Sequence, residues 1–217
     1  MHQKAFSFKT EDSHNQNEFI ISSSNIVAHG LIDSWPNLWG VNPYPKALIL
    51  KGPKSSGKTF LAKKWVVKSG AKTLQKNHEL TEDTLINHLA FIIEDFDSSW
   101  HEEKVLHYFN SINENDRYLL ITTTQIPDIK LPDLKSRINT LDVVNIDMPD
   151  DQMIEILIFK LFSHYSIIIT PEIINFLVKI LPRDCAEIIK SIQMINDYAL
   201  AHKHKITIPL IKKALNV

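Results

Sequence analysis

The sequence contains a phosphate-binding motif that, more than any other feature, restricts the folds open to this chain. Residues 52–59 read Gly-Pro-Lys-Ser-Ser-Gly-Lys-Thr and match the pattern G-x-x-x-x-G-K-[ST] at each defined position. Residues 47–50 form an apolar run typical of a buried parallel strand, and residues 59–67 carry apolar side chains at helical spacing. The alternative is a chance match in a glycine-containing turn, and the flanking strand and helix argue against it. The sequence therefore predicts an α/β protein that binds a nucleotide.

Each residue type in the motif has a role in holding phosphate. Gly52 and Gly57 permit backbone angles and close approaches that a Cβ would prevent. Successive backbone N–H groups then form an anion-binding concavity at the positive end of the following helix. Lys58 is expected to reach the β- and γ-phosphates, and the Thr59 hydroxyl to coordinate Mg²⁺. The predicted nucleotide-binding residues of this segment are Gly52, Pro53, Lys54, Ser55, Ser56, Gly57, Lys58, Thr59 and Phe60.

Composition and charge set limits on the class of protein. The 217 residues are 44% hydrophobic and 23% charged, which is ordinary for a soluble globular protein of one domain with at most a small satellite. The net charge of −1 gives no whole-chain attraction to nucleic acid, so any role at DNA is expected to be indirect or local. The single Cys185 excludes an intramolecular disulfide. With no signal peptide and no apolar run long enough to span a bilayer, a cytoplasmic protein without membrane contact is expected.

A second apolar run, residues 90–93, ends in the two carboxylates Glu94 and Asp95. In phosphate-loop ATPases an acidic residue at a strand end supports Mg²⁺ and the attacking water. Four apolar residues before an acid also occur in many other α/β proteins, and Glu94 stands where Asp is more usual. We predict Glu94 and Asp95, together with Thr59, as the Mg²⁺ site, with Asp95 as a catalytic candidate.

A third apolar run, residues 118–121, is followed by Thr-Thr-Thr-Gln. Hydroxyls at this strand end, Thr124 in particular, are candidates to hydrogen-bond the γ-phosphate or its attacking water. The alternative is that they are β-branched residues that merely fill the strand. Farther along, Arg137 is predicted to lie in a polar turn, where it could reach a neighbour's phosphate or serve only as a surface charge.

The character of the chain changes to all-helical at Met148. Capping patterns predict helices that start near residues 149–151, 171, 184 and 208. The predicted organisation is a flexible tail over residues 1–17, a nucleotide-binding α/β base over 18–147 and a helical lid over 148–217. Within the base, residues 22–25 are predicted to cap a helix over 26–35, and Ser98-Ser99 to cap a helix that reaches residue 113.

This order of parts resembles the AAA+ ATPases, and specifically the Hda/HdaA type of regulator in the DnaA branch. The resemblance rests on stretches that together span almost the whole chain, namely residues 19–25, 109–114, 119–122, 131–137 and 206–215. It implies a parallel sheet with flanking helices followed by a small all-helical lid, and ADP or ATP with Mg²⁺ as the ligand. It also places Asn25 in the family's adenine-side segment.

The resemblance further implies partners. Hda-like proteins are held on the sliding clamp of DNA polymerase III by an N-terminal peptide, and Gln3, Phe6 and Phe8 match that peptide, although Lys4 replaces an apolar residue. Arg137 matches the arginine finger, which would act in trans on ATP held by DnaA. The chain stops at Val217 without the helix-turn-helix domain of DnaA, which argues against an initiator.

Two departures from the family pattern bear on catalysis. Ala186 stands at the position of the second-sensor arginine, with Arg183 as a possible substitute, and Asp133 stands where DnaA carries a second arginine. A weak intrinsic ATPase and a bound nucleotide with a structural role, ADP above all, are therefore expected. The alternatives are a helicase-loader-like ATPase of the DnaC type, which self-assembles, and a catalytically silent scaffold. Whether the protein forms a homo-oligomer is left open.

Overall fold

The computed structural model describes residues 19–39, 46–77 and 79–217. The predicted clamp-binding residues Gln3, Phe6 and Phe8 therefore lie outside the described residues. Among the helices that are described, none is long and apolar enough to cross a membrane.

A five-stranded parallel sheet forms the first part of the fold. The strands are β1 (Ala47–Lys51), β2 (Lys72–Thr73), β3 (Ala90–Ile93), β4 (Tyr118–Thr123) and β5 (Asp142–Asn145). Their order across the sheet is β2-β3-β4-β1-β5, and each neighbouring pair is parallel. Leu50 pairs with Thr122, and Ile93 pairs with Ile121. The carboxyl ends of β1, β3 and β4 therefore meet at one edge, so the phosphate motif, the two acids and the threonines that follow these strands come together.

Helices cover both faces of this sheet. Those of the sheet-containing part are α1 (Ile26–Ser34), α2 (Lys58–Ser69), α3 (Glu82–Asn87), α4 (Glu102–Glu114) and α5 (Pro132–Asn139). Leu48 and Leu50 of β1 belong to a core cluster with residues of α1 and α2. Ile49, between them, belongs to a second cluster with residues of α4 and α5. Because successive strand residues face opposite sides, α2 and α5 lie on opposite faces of the sheet.

Four further helices form the last part of the described chain, with a hydrophobic core of their own. They are α6 (Asp151–His164), α7 (Pro171–Ile180), α8 (Cys185–His202) and α9 (Ile208–Leu215). The predicted helix starts are confirmed. Asp150 and Asp184 accept backbone N–H groups of the first turns of α6 and α8, and α7 has proline in its first turn.

Three local predictions were wrong. Arg137 lies in α5 and not in a turn, because Pro132 starts the helix and Leu134 and Ile138, one turn apart, are buried. Asn25 precedes α1, but its side chain does not cap the helix; it accepts from the backbone nitrogen of Ser22 and donates to the carbonyl of Ile20. The helix assigned to Ser98-Ser99 begins only at Glu102, because Ser99 bonds Asp97 instead of capping α4.

Candidate nucleotide site

The phosphate motif forms a loop that curls around its own lysine. The backbone nitrogen of Gly52 donates to the carbonyl of Thr123 at 3.1 Å, which ties the start of the loop to β4. Gly57 ends the loop with a φ of 98°, in the left-handed region that favours glycine, and α2 follows. The buried Lys58 ammonium donates to the carbonyls of Gly52 and Pro53, each at 2.7 Å. Burial lowers the pKa of Lys58, and the charge of Asp95 opposes that shift.

The loop residues fit a phosphate group. A Cβ added to Gly52 would lie 2.6 Å from the carbonyl oxygen of Ile146, so only glycine fits there without movement. The hydroxyl of Ser56 is buried and has no hydrogen-bond partner among the described residues. A buried polar group without a partner costs free energy, which a phosphate oxygen that accepts its proton would recover. Thr59 is exposed at the start of α2, where its hydroxyl is open to a cation.

The two acids after β3 have different surroundings. The charge of Asp95 favours a higher pKa of Lys58, whereas the charge of Lys63 in α2 favours a lower pKa of Glu94. The pKa of Glu94 is raised, first by burial and then by the neighbouring Asp95. Asp95 is exposed and has a φ of 49°, and its backbone nitrogen donates to the hydroxyl of Thr122 at 3.0 Å. Asp95 is therefore the carboxylate whose field reaches the phosphate loop.

The three threonines at the end of β4 divide into two kinds. Thr122 and Thr123 are buried and fasten β4 to the acidic segment. The hydroxyl of Thr123 donates to the carbonyl of Phe96 at 2.6 Å, and the backbone nitrogen of Phe96 donates to the carbonyl of Thr122 at 2.8 Å. Thr124 is exposed, and its side chain makes no hydrogen bond within the described part of the chain. Of the three hydroxyls, only that of Thr124 is open to a ligand.

An aromatic stack that the sequence did not predict lies beside the loop. Phe19 stacks on Phe60 of α2, with ring centroids 4.6 Å apart and planes 9° apart, and on His29 of α1 at 5.8 Å. A Cβ added to Gly57 would lie 3.0 Å from the Phe19 ring. The run Phe19-Ile20-Ile21 was the only signal in the sequence, and it did not indicate which partner the ring would contact. The buried Asn25 holds this segment in place through the bonds to Ile20 and Ser22 described above.

The segment that carries Phe19 also contacts the start of α6. Ser23 donates its hydroxyl proton to the Asp150 carboxylate at 2.6 Å, and this bond is the largest cause of the lowered pKa of Asp150. The backbone nitrogen of Asp147 donates to the carbonyl of Ser24 at 2.9 Å. Residues 19–25 thus contact both the phosphate loop and the helical part.

Arg183, the candidate substitute for the second sensor, is engaged elsewhere. Its guanidinium donates to the carbonyl of Pro149 at 3.0 Å and forms an ion pair with Asp151, both at the start of α6. No residue of the phosphate loop is among its partners in the described structure. Ala186 contributes only its backbone nitrogen, which donates to Asp184.

Arg137 is set apart from these residues. It is exposed on α5, on the sheet face opposite α2. Its guanidinium has no hydrogen bond or ion pair with any residue that the structure describes. An exposed guanidinium of this kind is available to a group outside the chain.

Comparisons with known proteins agree with this architecture. Residues 150–215 match the family model described as "Hda, lid domain". Domain III of the replication initiation protein DnaA from Thermotoga maritima is similar over 91% of this chain and 93% of its own length, with a TM-score of 0.66 and 14% identity. AMPPCP-bound DnaA from Aquifex aeolicus gives a TM-score of 0.66 over 86% of this chain and 66% of its own, also at 14% identity.

Two further similar proteins are a structural neighbour and a sequence relative. The RuvB Holliday junction branch migration motor from Thermotoga maritima is similar over 78% of this chain and 61% of its own, with a TM-score of 0.59 and 15% identity. A curated but uncharacterised protein of Haemophilus influenzae is 28% identical over 121 residues, which are 54% of this chain. The match spans about half, 52%, of that relative's length.

The parallel sheet, its phosphate loop and the helical region after it together form the AAA+ fold. Within that fold, the match to the Hda lid model covers the helical region from α6 to α9. Over residues 150–215 the chain is similar to the lid domain of Hda, and over most of its length it shares the fold of domain III of DnaA.

Proposed function

We propose that this protein is a nucleotide-binding regulator that promotes the hydrolysis of ATP held by DnaA, with Arg137 as an arginine finger in trans. The observation that carries the proposal is the guanidinium of Arg137, which is exposed on α5, on the sheet face opposite α2, and has no partner among the described residues. An arginine supplied by a neighbour stabilises the charge that develops on the transferred phosphoryl group.

The protein's own nucleotide, ADP or ATP, is held by the phosphate loop. Backbone N–H groups of residues 54–60 and the Ser56 hydroxyl bind the phosphates, and Lys58 exchanges its contacts with two loop carbonyls for phosphate oxygens. Thr59, Glu94 and Asp95 would hold Mg²⁺, which would neutralise phosphate charge. The nucleotide has a mainly structural role, because the described structure engages Arg183 at the start of α6 and Ala186 has no charge to offer.

The N-terminal peptide tethers the regulator to the sliding clamp on DNA. This part of the proposal rests on the match of Gln3, Phe6 and Phe8 to the clamp-binding pattern. Contact with DNA is then indirect, in agreement with the net charge of −1.

The test is phosphate release from ATP-loaded DnaA in the presence of clamp-loaded DNA and this protein. Arg137→Ala should reduce the stimulation by about 10³-fold or more, the lower bound of measured finger effects. Lys135→Ala is the matched control, because Lys135 is another exposed cation of α5. Full stimulation by Arg137→Ala would refute the finger role.

A self-acting ATPase of the helicase-loader type is the second candidate. The proximity of the Asp95 charge to Lys58, and a fold shared with the RuvB motor, favour it. It predicts DNA-stimulated turnover by this protein alone, removed by Lys58→Ala, and capture of the replicative helicase instead of the clamp. A protein that shows neither turnover nor stimulation would be a scaffold.

A further inference from the structure

Glu102, the first residue of α4, makes bonds that reach across to another element. Its carboxylate accepts the backbone N–H of Lys130, with both oxygens 3.0 Å from the nitrogen, and that of Leu131 at 2.6 Å. Such bonds to an ionised acceptor are among the stronger hydrogen bonds in proteins. One side chain therefore fixes two successive backbone groups in the connection between β4 and α5.

These two groups stand at the entrance of the helix that carries Arg137. Leu131 is the N-cap residue of α5 and has no side-chain acceptor, and Pro132 follows it in the first turn without an N–H. Glu102 supplies the side-chain acceptor that Leu131 lacks, and it adds to Asp133 of the first turn a second negative group beside the positive end of the helix dipole. Arg137 lies six residues after Leu131, about 9 Å farther along the helix axis.

The remaining contacts of α5 fix its rotation rather than its start. Leu134 and Ile138 are buried against the sheet and α4, which determines the face that α5 presents to solvent. Apolar packing is non-directional, whereas two hydrogen bonds at the entrance determine where the first turn lies. Catalysis is sensitive to such placement, since a 1 Å displacement can reduce a rate by about 10²-fold.

We propose that Glu102 is a positioning residue for Arg137, one that sets the reach of the finger by fixing the start of α5. The inference rests on the proposed function and adds to it a residue that touches neither nucleotide nor partner. Glu103, its neighbour in the first turn of α4, is exposed and makes no such bond within the described structure, so it serves as the matched control.

The experiment titrates each variant of the full chain against ATP-loaded DnaA on clamp-loaded DNA. Glu102→Ala should lower the plateau rate by about 10- to 100-fold, with little change in the half-saturating concentration. Glu102→Gln, which keeps one acceptor oxygen, should fall between wild type and Glu102→Ala. Glu103→Ala should match wild type. Hydrogen exchange of the amides of Lys130 and Leu131 should accelerate in Glu102→Ala.

A double variant separates positioning from general stability. If Glu102 acts through Arg137, then Glu102→Ala should have no further effect in the Arg137→Ala background, since coupled sites are not additive. An additional loss there would overturn the inference, as would plateau rates that simply follow the melting temperatures of the variants.

The variants distinguish the positioning role of Glu102 from the arginine-finger role of Arg137. A full plateau rate for Glu102→Ala, with a strong defect for Arg137→Ala, would overturn the positioning role alone. A full rate for Arg137→Ala would overturn the proposed function and the positioning role with it.

Discussion

A single methyl group at Gly52 tests how closely the phosphate loop is packed. In Gly52→Ala the new Cβ would lie 2.6 Å from the carbonyl oxygen of Ile146, whereas ordinary contact begins at 3.4 Å, a deficit of 0.8 Å. The Ser56 hydroxyl, at 2.8 Å, can rotate away, but the Ile146 backbone is held because its nitrogen donates to the carbonyl of Lys51 at 2.7 Å. The loop itself must therefore move.

Overpacking of this kind costs about 1–3 kcal/mol. For a chain of this size each kcal/mol lowers the melting temperature by about 2–4 °C, so a loss of roughly 2–12 °C is expected. Displaced loop N–H groups should also weaken ADP binding about tenfold, or ~1.4 kcal/mol. Calorimetric unfolding and ADP titration measure the two effects.

Gly30→Ala provides the comparison, because Gly30 is inside α1 with nothing within 4 Å of a new Cβ. It should stabilise the protein by about 0.5–1 kcal/mol without changing ADP binding. Unchanged stability and ADP affinity in Gly52→Ala would refute the close packing of the loop against Ile146.

Two further predictions concern α1 and the segment before it. Burial above all, then the charge of Lys64, lowers the pKa of His29, while Asp33 opposes the shift. The unfolded state then binds the proton more readily, so stability should fall as the pH drops below about 6.5. His29→Gln should reduce that fall in urea unfolding at pH 7.5 and 5.5, and an unchanged pH dependence would contradict it. Asn25→Ala leaves the carbonyl of Ile20 and the nitrogen of Ser22 without their partner, so unfolding free energy should drop by about 1–3 kcal/mol. A smaller drop than that of Ser34→Ala, a half-buried control on α1, would count against this reading.

The strands β1, β3 and β4 could be predicted from the sequence because each contains a continuous buried apolar run. The phosphate motif fixed β1 and α2, and the polar residues after β3 and β4 indicated which strand ends would meet. These signals are local, since each is contained in fewer than ten residues, and the parallel pairing follows from the motif's known context.

The remaining features depend on contacts between distant residues. The eight residues of α5 are mostly polar, and Leu134 and Ile138 are its buried apolar residues, so the apolar pattern of a helix is weak. The acceptor at the start of α5 comes from Glu102 of another helix. Ser23 bonds Asp150, 127 residues away, so its role could not be inferred from neighbours. A cap and a long-range bond use the same residue types, and only the tertiary structure decides between them.

The strand order of the sheet also determines when the protein can fold on the ribosome. β1 lies between β4 and β5, so it has no strand partner until Tyr118 has been synthesised, and its outer edge stays uncovered until Asp142, 91 positions after Lys51. At about 5–20 residues per second that interval lasts roughly 5–18 seconds. During that interval the edge of β1 that later pairs with β5 exposes unpaired backbone groups. Such an edge is a target for chaperones and for misassociation.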